Sequence, residues 1–420
     1  MSDTPVFTPK PAPPPAPSPL RAAPETLHLN SWIEIDAAAY RHNLRFLRDA
    51  VGPDVELSAV VKSNAYGHGL EPVARLATDA GADSFCVHSL EEALDLRRFG
   101  FGQDILVMGH IPLDRLGDAV AHNLRMVAYN PETIWRLGAL AHDAGTRPRV
   151  HLKIETGTHR QGIDDHELDA VVDMLGQHPQ IDVEGAYTHF ADIEDTTDHG
   201  YARGQLERFR GALDRLAARG IKPHRRHAAC SAAAVLFPET RFDMARVGIS
   251  QYGFWSSKET HLSYGHRHGS GDGPRPVLTW KARISQVKAI AKGASVGYGR
   301  TWRAPRDSRI AVLPIGYSDG YDRLYSNAAH ALVRGQRAPV RGRVCMNLTM
   351  IDVTDIPDVQ LEDEVVLLGR DGDEQVTAED LAALSHTIHY EVVTRIAPHL
   401  PRLVVDPGAA EPLPETPRAL

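Results

Sequence analysis

A chain of 420 residues, 42% hydrophobic and 24% charged, is long enough for one large α/β barrel and a second domain. Its formal net charge of −8, with no basic run, argues against a nucleic-acid surface, and no apolar stretch reaches bilayer-spanning length. The N-terminus lacks a charged-then-apolar secretory pattern, and Cys86, Cys230 and Cys345 are too scattered for a disulfide framework or a metal knuckle. A cytoplasmic protein with buried free thiols is expected, with no membrane or nucleic-acid partner.

In chain order, residues 1–28 are proline-rich, with Pro13, Pro14 and Pro15 in succession and alanine between the rest. Too few large apolar side chains are present to build a core, so a disordered or polyproline-like tail is expected. Residues 29–258 alternate strand-like and helix-like pieces. The strands are LSAVVK (57–62), SFCVH (84–88), DILVMG (104–109), RMVAY (125–129), RVHLKIE (149–155), VEGAYTHF (183–190), RHAACS (226–231) and FDMARVG (242–248). Between them, stretches such as LEPVARLATDAG and LEEALDLRRFG repeat apolar residues at three- and four-residue intervals and end at glycine, as helices do. Eight such units predict a (β/α)8 TIM barrel, an α/β fold. A doubly wound open sheet is the alternative, disfavoured because no GxGxxG turn follows the first strand.

Residues 259–276, rich in Gly, His, Ser and Pro, predict a surface connector. His261, His266 and His268 are weighed as metal ligands and set aside, because no cysteine or clustered carboxylate completes a site. Residues 277–404 change character, with branched runs such as VLTWKARISQVKAI and DEVVLLG separated by turns; a mainly β C-terminal domain is expected. Its one clear helical stretch, VTAEDLAALSH, begins with Thr377 as N-cap. The early piece SWIEID (31–36) is expected to pair with this domain, and residues 405–420 to form a flexible tail.

Chemistry collects at the strand ends, where barrels place catalytic groups. VVKSNAYGHG (60–69) sets Lys62 at the end of the first barrel strand. Burial disfavours a charged lysine and turns it into an amine nucleophile suited to an aldehyde cofactor. Arg160 follows the fifth strand, His189 ends the sixth, Ser231 the seventh and Arg246 the eighth. Singly, these read as a surface lysine, a surface ion pair, a core histidine or a helix N-cap. Together they predict one pocket. Ser231 and the pair Gly248-Ile249 lie where barrels bind phosphate through backbone amides.

VVKSNAYGHG, KIETGTHRQGI, THF, HAACSAA, ARVGISQYG, VGYGRTW, PIGYSDGY, GRVCMN and HYEVVTRI occur in the order seen in alanine racemases. From about Trp32 to Arg402 the chain resembles that family of fold-type III enzymes dependent on pyridoxal phosphate (PLP). The resemblance implies that Lys62 holds PLP and acts as one base. It implies that Tyr298 is the opposite-face base, contributed across a homodimer interface. Arg246 resembles the arginine facing the pyridine nitrogen, and Arg160 the one near the phenolic oxygen and the substrate carboxylate. Tyr66, Ser231, Gly248, Ile249 and Tyr390 match phosphate-binding positions. Lys153 matches a lysine carbamylated in some members, and Met346 a residue whose backbone amide meets the substrate carboxylate. Production of D-alanine for peptidoglycan follows from the same resemblance.

Racemisation removes the Cα proton from one face and returns it to the other, so two bases must flank the carbon, each tuned down from a reference pKa of about 10. His189 is the expected hydrogen-bond partner of Arg246, and the resemblance implies a relay from there toward Tyr298. Asn347 stands where the family commonly has aspartate, Thr158-His159 replaces Met-Gly, and Cys230 stands where asparagine is frequent. These departures bear on substrate range and leave open a broad-specificity racemase of the same fold. A non-catalytic PLP-binding protein predicts no second domain and no Tyr298. A fold-type III decarboxylase requires a catalytic cysteine that Cys345 matches poorly.

Overall fold

The computed structural model describes residues 28–194, 198–269 and 273–406. The proline-rich tail apart from His28, and residues 407–420, lie outside them. Strand β1 (Ser31–Asp36) precedes eight barrel strands: β2 (Glu56–Val60), β3 (Ser84–Val87), β4 (Asp104–Val107), β5 (Arg125–Ala128), β6 (Arg149–Lys153), β7 (Asp182–Tyr187), β8 (Arg225–His227) and β9 (Met244–Val247). Each expected barrel strand is present. All neighbours are parallel, in the order β8-β7-β6-β5-β4-β3-β2-β9. The ring is drawn together between β8 and β9 by backbone bonds from Asp243 N to Arg226 O (3.0 Å) and from Arg246 N to Ala229 O (3.1 Å).

The intervening helices form for ordinary reasons. In the helix Leu90–Arg98, Ser89 and Glu92 make a reciprocal capping box, Leu90, Ala93 and Leu96 turn inward, and Arg97 and Arg98 close the last turn, where positive charge suits the helix dipole.

The lower barrel interior is ionic. Arg125, 1% exposed, reaches Glu56 (2.7 Å), Asp104 (2.6 Å) and Glu184 (2.9 Å). Parallel barrel strands ordinarily fill this space with branched apolar side chains; here three carboxylates compensate Arg125 at the centre and Arg149 and Arg225 beside it.

The second unit is built around a seven-stranded sheet. Strand β1 joins it, antiparallel to β10 (Leu278–Arg283) and parallel to Arg402–Val405, the pairing expected of SWIEID. Its Ile33 and Ile35 are buried beside Trp280. A separate three-stranded sheet combines Gln286–Ile290, Ser308–Leu313 and Thr349–Asp352.

Two local expectations need correction. The connector carries a helix, Lys258–His268, started by Ser257, whose Oγ accepts from Thr260 N at 3.0 Å. Aromatic contacts hold it: His261 stacks on Trp255 (5.0 Å, 12°) and His268 on Tyr264 (4.5 Å, 24°). Beyond the capped helix Ala378–Ser385, a second short helix, His389–Thr394, is present; its Val-Val-Thr composition favours strand by propensity, and the tertiary setting decides otherwise.

Candidate active site

At the C-terminal ends of the barrel strands lies a cavity of about 600 Å³. Lys62, Lys153, Arg160 and Arg246 face it together with His189, Tyr66, Ser231, Gly248, Ile249 and Tyr390. The structure thus brings ten of the expected residues to one place. Among the described lining residues Glu194 is the sole carboxylate, so the cavity carries an excess of positive charge suited to anions.

The turn that presents Lys62 is left-handed. Ser63, Asn64, Ala65 and Tyr66 have φ of 56°, 53°, 52° and 53°, a conformation costing L-residues roughly 1–2 kcal/mol each. It is held by Ala65 N donating to Val61 O (2.8 Å), Gly67 N to Ser63 O (3.1 Å), Gly69 N to Asn64 O (2.9 Å) and Ser63 N to Glu92 Oε1 (2.5 Å). Such strain persists where the surroundings over-determine it, commonly at functional sites. Gly67 continues the turn at φ 82°, and an added Cβ would strike the carbonyl of Val393. The turn thereby sets Lys62 on the cavity wall, its Nζ 6.0 Å from the Tyr66 ring centroid.

The expected phosphate-binding residues come together from the segments after β8 and β9, the turn after β2 and the second unit. Ser231 Oγ accepts from Gly248 N (2.9 Å) and Ser250 N (3.4 Å). A Cβ on Gly248 would lie 2.8 Å from Tyr66 Oη, so glycine keeps that space open. Tyr390, on the short helix His389–Thr394, stands 6.3 Å from Tyr66 between ring centroids. Burial raises both phenols well above the ordinary tyrosine value, keeping them as donors.

Burial, reinforced by the Arg160 charge, lowers the Lys62 amine below the ordinary lysine range. The same two causes bring Lys153 down to about 8; its Nζ donates to Gln161 Oε1 at 3.2 Å. Burial and then Arg246 depress His189 to about 3, which leaves it neutral. The loop carrying Arg160 is organised by Glu155, whose Oε1 accepts from Gly157 N (2.5 Å) and Thr158 N (2.7 Å). Thr158 Oγ1 ties it to His189 O (2.7 Å). Cys230 lines the cavity as a neutral thiol, pushed up to about 12 by burial and then by Glu194.

One expected contact is corrected. Arg246 bonds through Nη1 to Nδ1 of His227 (2.5 Å) and through Nη2 to the carbonyls of Thr188 (2.9 Å) and Ala228 (3.2 Å); His189 takes no part. His227 ends β8, beside Arg246 on the adjoining β9, whereas His189 lies beyond the end of β7. The expected strand 226–231 placed His227 near its start; β8 in fact ends at His227, which is why the strand-end rule passed over it. Tyr187 was also missed; its ring lies 4.9 Å from the Arg246 guanidinium and stacks on His227 (4.7 Å, 7°).

Tyr298 and Met346 are absent from the cavity. They are 72% and 56% exposed, on a face of the second unit where three motifs meet. Asn327 bridges Thr301 Oγ1 (3.1 Å) and Gly342 N (2.7 Å), and Ser318 Oγ donates to Met346 O (2.8 Å). Tyr317, Leu324 and Leu348 are exposed there too. Asn347 donates to Ser318 Oγ at 2.8 Å.

A barrel with a strand-end lysine on a positively charged cavity and a β-rich second unit defines a two-domain, barrel-type enzyme class. Comparison gives the family. Residues 35–255 match the alanine racemase N-terminal domain and residues 277–404 the alanine racemase C-terminal domain. The alanine racemase of Desulforamulus reducens is 41% identical over 89% of this chain and 98% of its own length, and that of Leptospira interrogans 40% over 90% and 96%. Among solved structures, alanine racemase from Bacillus anthracis with bound L-Ala-P superposes with a TM-score of 0.84 at 33% identity, covering 93% of this chain and 97% of that one. Alanine racemase from Bartonella henselae, with covalently bound pyridoxal phosphate, gives 0.77 at 26% identity, covering 90% and 99%. The chain belongs to the alanine racemase family of PLP-dependent isomerases. Among the described residues no helix is long and apolar enough to cross a membrane.

Proposed function

We propose that this chain interconverts L- and D-alanine with pyridoxal phosphate as cofactor, supplying D-alanine for peptidoglycan, and that a second copy completes each site. One observation carries the reading. Lys62, Lys153, Arg160 and Arg246 converge on a single cavity, while Tyr298 and Met346 stand exposed elsewhere on the same chain.

The residues fit the cofactor. Tyr66, Ser231, Tyr390 and the backbone at Gly248 and Ile249 form a donor-rich cradle for its phosphate, with room preserved by the missing Cβ at 248. When bound, PLP supplies an aldehyde carbon for an amine and a conjugated ring that withdraws electron density from Cα. Lys62, with its amine pKa lowered, takes and returns the Cα proton on one face, and Tyr298 of the second copy serves the other. Arg160 and the backbone amide of Met346 of the second copy orient the substrate carboxylate. Arg246 would face the ring nitrogen of the bound cofactor as a donor that keeps its own proton, since arginine does not deprotonate in proteins. The lowered Lys153 amine, pressed by Arg160, is suited to capture carbon dioxide, and the resulting carbamate would give that arginine an anionic neighbour.

The β-rich unit and Tyr298 speak against a non-catalytic single-barrel protein. Purified protein with PLP, assayed on a panel of L-amino acids for chirality and for solvent deuterium at Cα, tests the proposal. Exchange and inversion of alanine are expected. Comparable activity on lysine, arginine or serine would shift it to the broad-specificity reading, and no exchange with any substrate would overturn it.

A further inference from the structure

Below Arg246 a line of polar groups runs down the barrel axis to the ionic floor. His227 Nε2 meets His151 Nδ1 at 2.8 Å, and His151 Nε2 faces Glu184 Oε2 at 3.8 Å. That last separation is too long for a full hydrogen bond and short enough for electrostatic attraction. Glu184 in turn pairs with Arg125 (2.9 Å) and Arg225 (3.1 Å). Both imidazoles are 0% exposed, with Arg246 at 5% and Glu184 at 4%.

Proton inventory leaves one arrangement for this line. A guanidinium donates and cannot accept, so Nδ1 of His227 is bare and the neutral ring carries its proton on Nε2. That N–H points at Nδ1 of His151, which must accept, so His151 carries its proton on Nε2, toward Glu184. A second proton on either ring would set two donors against each other at 2.8 Å or less. Burial, followed for His227 by the Arg246 charge, lowers both imidazoles and agrees with two neutral rings.

The backbone is shaped to allow it. Val150 pairs with Val183 and His151 with Gly185, leaving Glu184 as the extra residue of a β-bulge, a device that re-aims a side chain. At Gly185 an added Cβ would collide with the His151 ring. Tyr187, stacked flat on His227, holds that ring's plane.

We propose that Glu184 and His151 are positioning residues that lock His227 in its Nε2–H tautomer, making Nδ1 a permanent acceptor that fixes the Arg246 guanidinium on the cavity floor. The consequence for catalysis rests on the functional reading above; the tautomer assignment does not.

Nitrogen-15 NMR of histidine-labelled holoenzyme tests it directly. A coupling across the N–H···N bond identifies the pair. Pyridine-type signals are expected for Nδ1 of both rings and pyrrole-type signals for Nε2 of both. A protonated Nδ1 on His227, or a doubly protonated ring at neutral pH, would overturn the proposal. Two variants then separate positioning from scaffold. Glu184→Gln removes the anion that orients His151, and Gly185→Ala displaces the His151 ring while leaving every ion pair's chemistry intact. In each, the His227 signals should shift or broaden and kcat should fall about tenfold with KM within about twofold. Unmoved His227 signals in Gly185→Ala, a folded protein with an altered His151, would count against the relay. Absence of racemase activity in the unmodified enzyme would strike the functional reading alone, leaving the tautomers to decide this one.

Discussion

Arg246 donates from Nη1 to Nδ1 of His227 across 2.5 Å, and both side chains are buried on the cavity floor. A charged donor so placed is costly to leave without its acceptor. His227→Leu should lower stability by about 2–4 kcal/mol, read as a smaller unfolding free energy in urea, with reduced PLP content. His227→Gln, whose side-chain oxygen accepts, should recover part of the loss. Equal stability of the two variants would contradict the pairing.

The left-handed turn makes Gly67 the most demanding position beside Lys62. Gly67→Ala adds a Cβ at φ 82° against the Val393 carbonyl, and should cost about 3 kcal/mol or more and reduce cofactor binding. Gly81→Ala is the control: φ is 84° there, with nothing within 4 Å of the added atom. It should cost only the backbone penalty of about 1–2 kcal/mol. Thermal unfolding compares the two, and equal losses would mean that the Val393 contact yields freely.

Lys153 gives a pH signature with a definite sign. Its amine is at about 8 in the folded chain against an ordinary 10.5. Between those values the unfolded chain binds a proton that the folded chain does not, so this group makes stability rise with pH across that window. Below about pH 8 both states are protonated, and the penalty is present in full and constant. Lys153→Met should therefore be more stable near neutrality and lose the rise above pH 8. Urea unfolding from pH 7 to 10 in carbon dioxide-free buffer checks it, and parallel curves for the two proteins would contradict it.

At the barrel floor, Arg125→Ala removes the most buried cation shared by Glu56, Asp104 and Glu184, leaving Arg149 and Arg225 as their remaining partners. Removing one partner of a buried ion network typically costs about 3–5 kcal/mol, and a loss of that order in urea unfolding is expected. A change under about 1 kcal/mol would show that water already screens the cluster.

Much of this site was legible because a barrel turns strand ends into neighbours. Lys62, Arg160, His189, Ser231 and Arg246 are far apart in sequence, yet each ends or follows a strand, and the C-terminal face gathers them. Thr377 was legible as an N-cap because the cap is local: its Oγ1 accepts from Asp380 N at 3.0 Å. What lay out of reach depended on tertiary setting. Of Ser63, Asn64, Ala65 and Tyr66 only Asn64 favours a left-handed conformation, and long-range packing at Gly67 and the Glu92 bond impose it on the rest. The bulge at Glu184 had one mark, the isolated Gly185 inside VEGAYTHF, which signals a bulge or close approach; read as an unbroken strand, it hid the histidine line beneath Arg246. The connector helix was hidden by its histidines and glycine; His268 stacks on Tyr264 one turn away and His261 on Trp255 just before the helix, contacts that composition alone does not display.

The central claim is that each site draws Lys62 from one copy and Tyr298 from another. Lys62→Ala and Tyr298→Phe, each inactive alone, can be unfolded together and refolded as a one-to-one mixture. If the site is shared, every mixed dimer holds one site with both residues intact, and random pairing should restore about a quarter of unmodified activity. If both residues served the same chain's cavity, no dimer would contain an intact site. Activity staying at the level of the separate variants, with mixed dimers confirmed by mass spectrometry, would contradict the account.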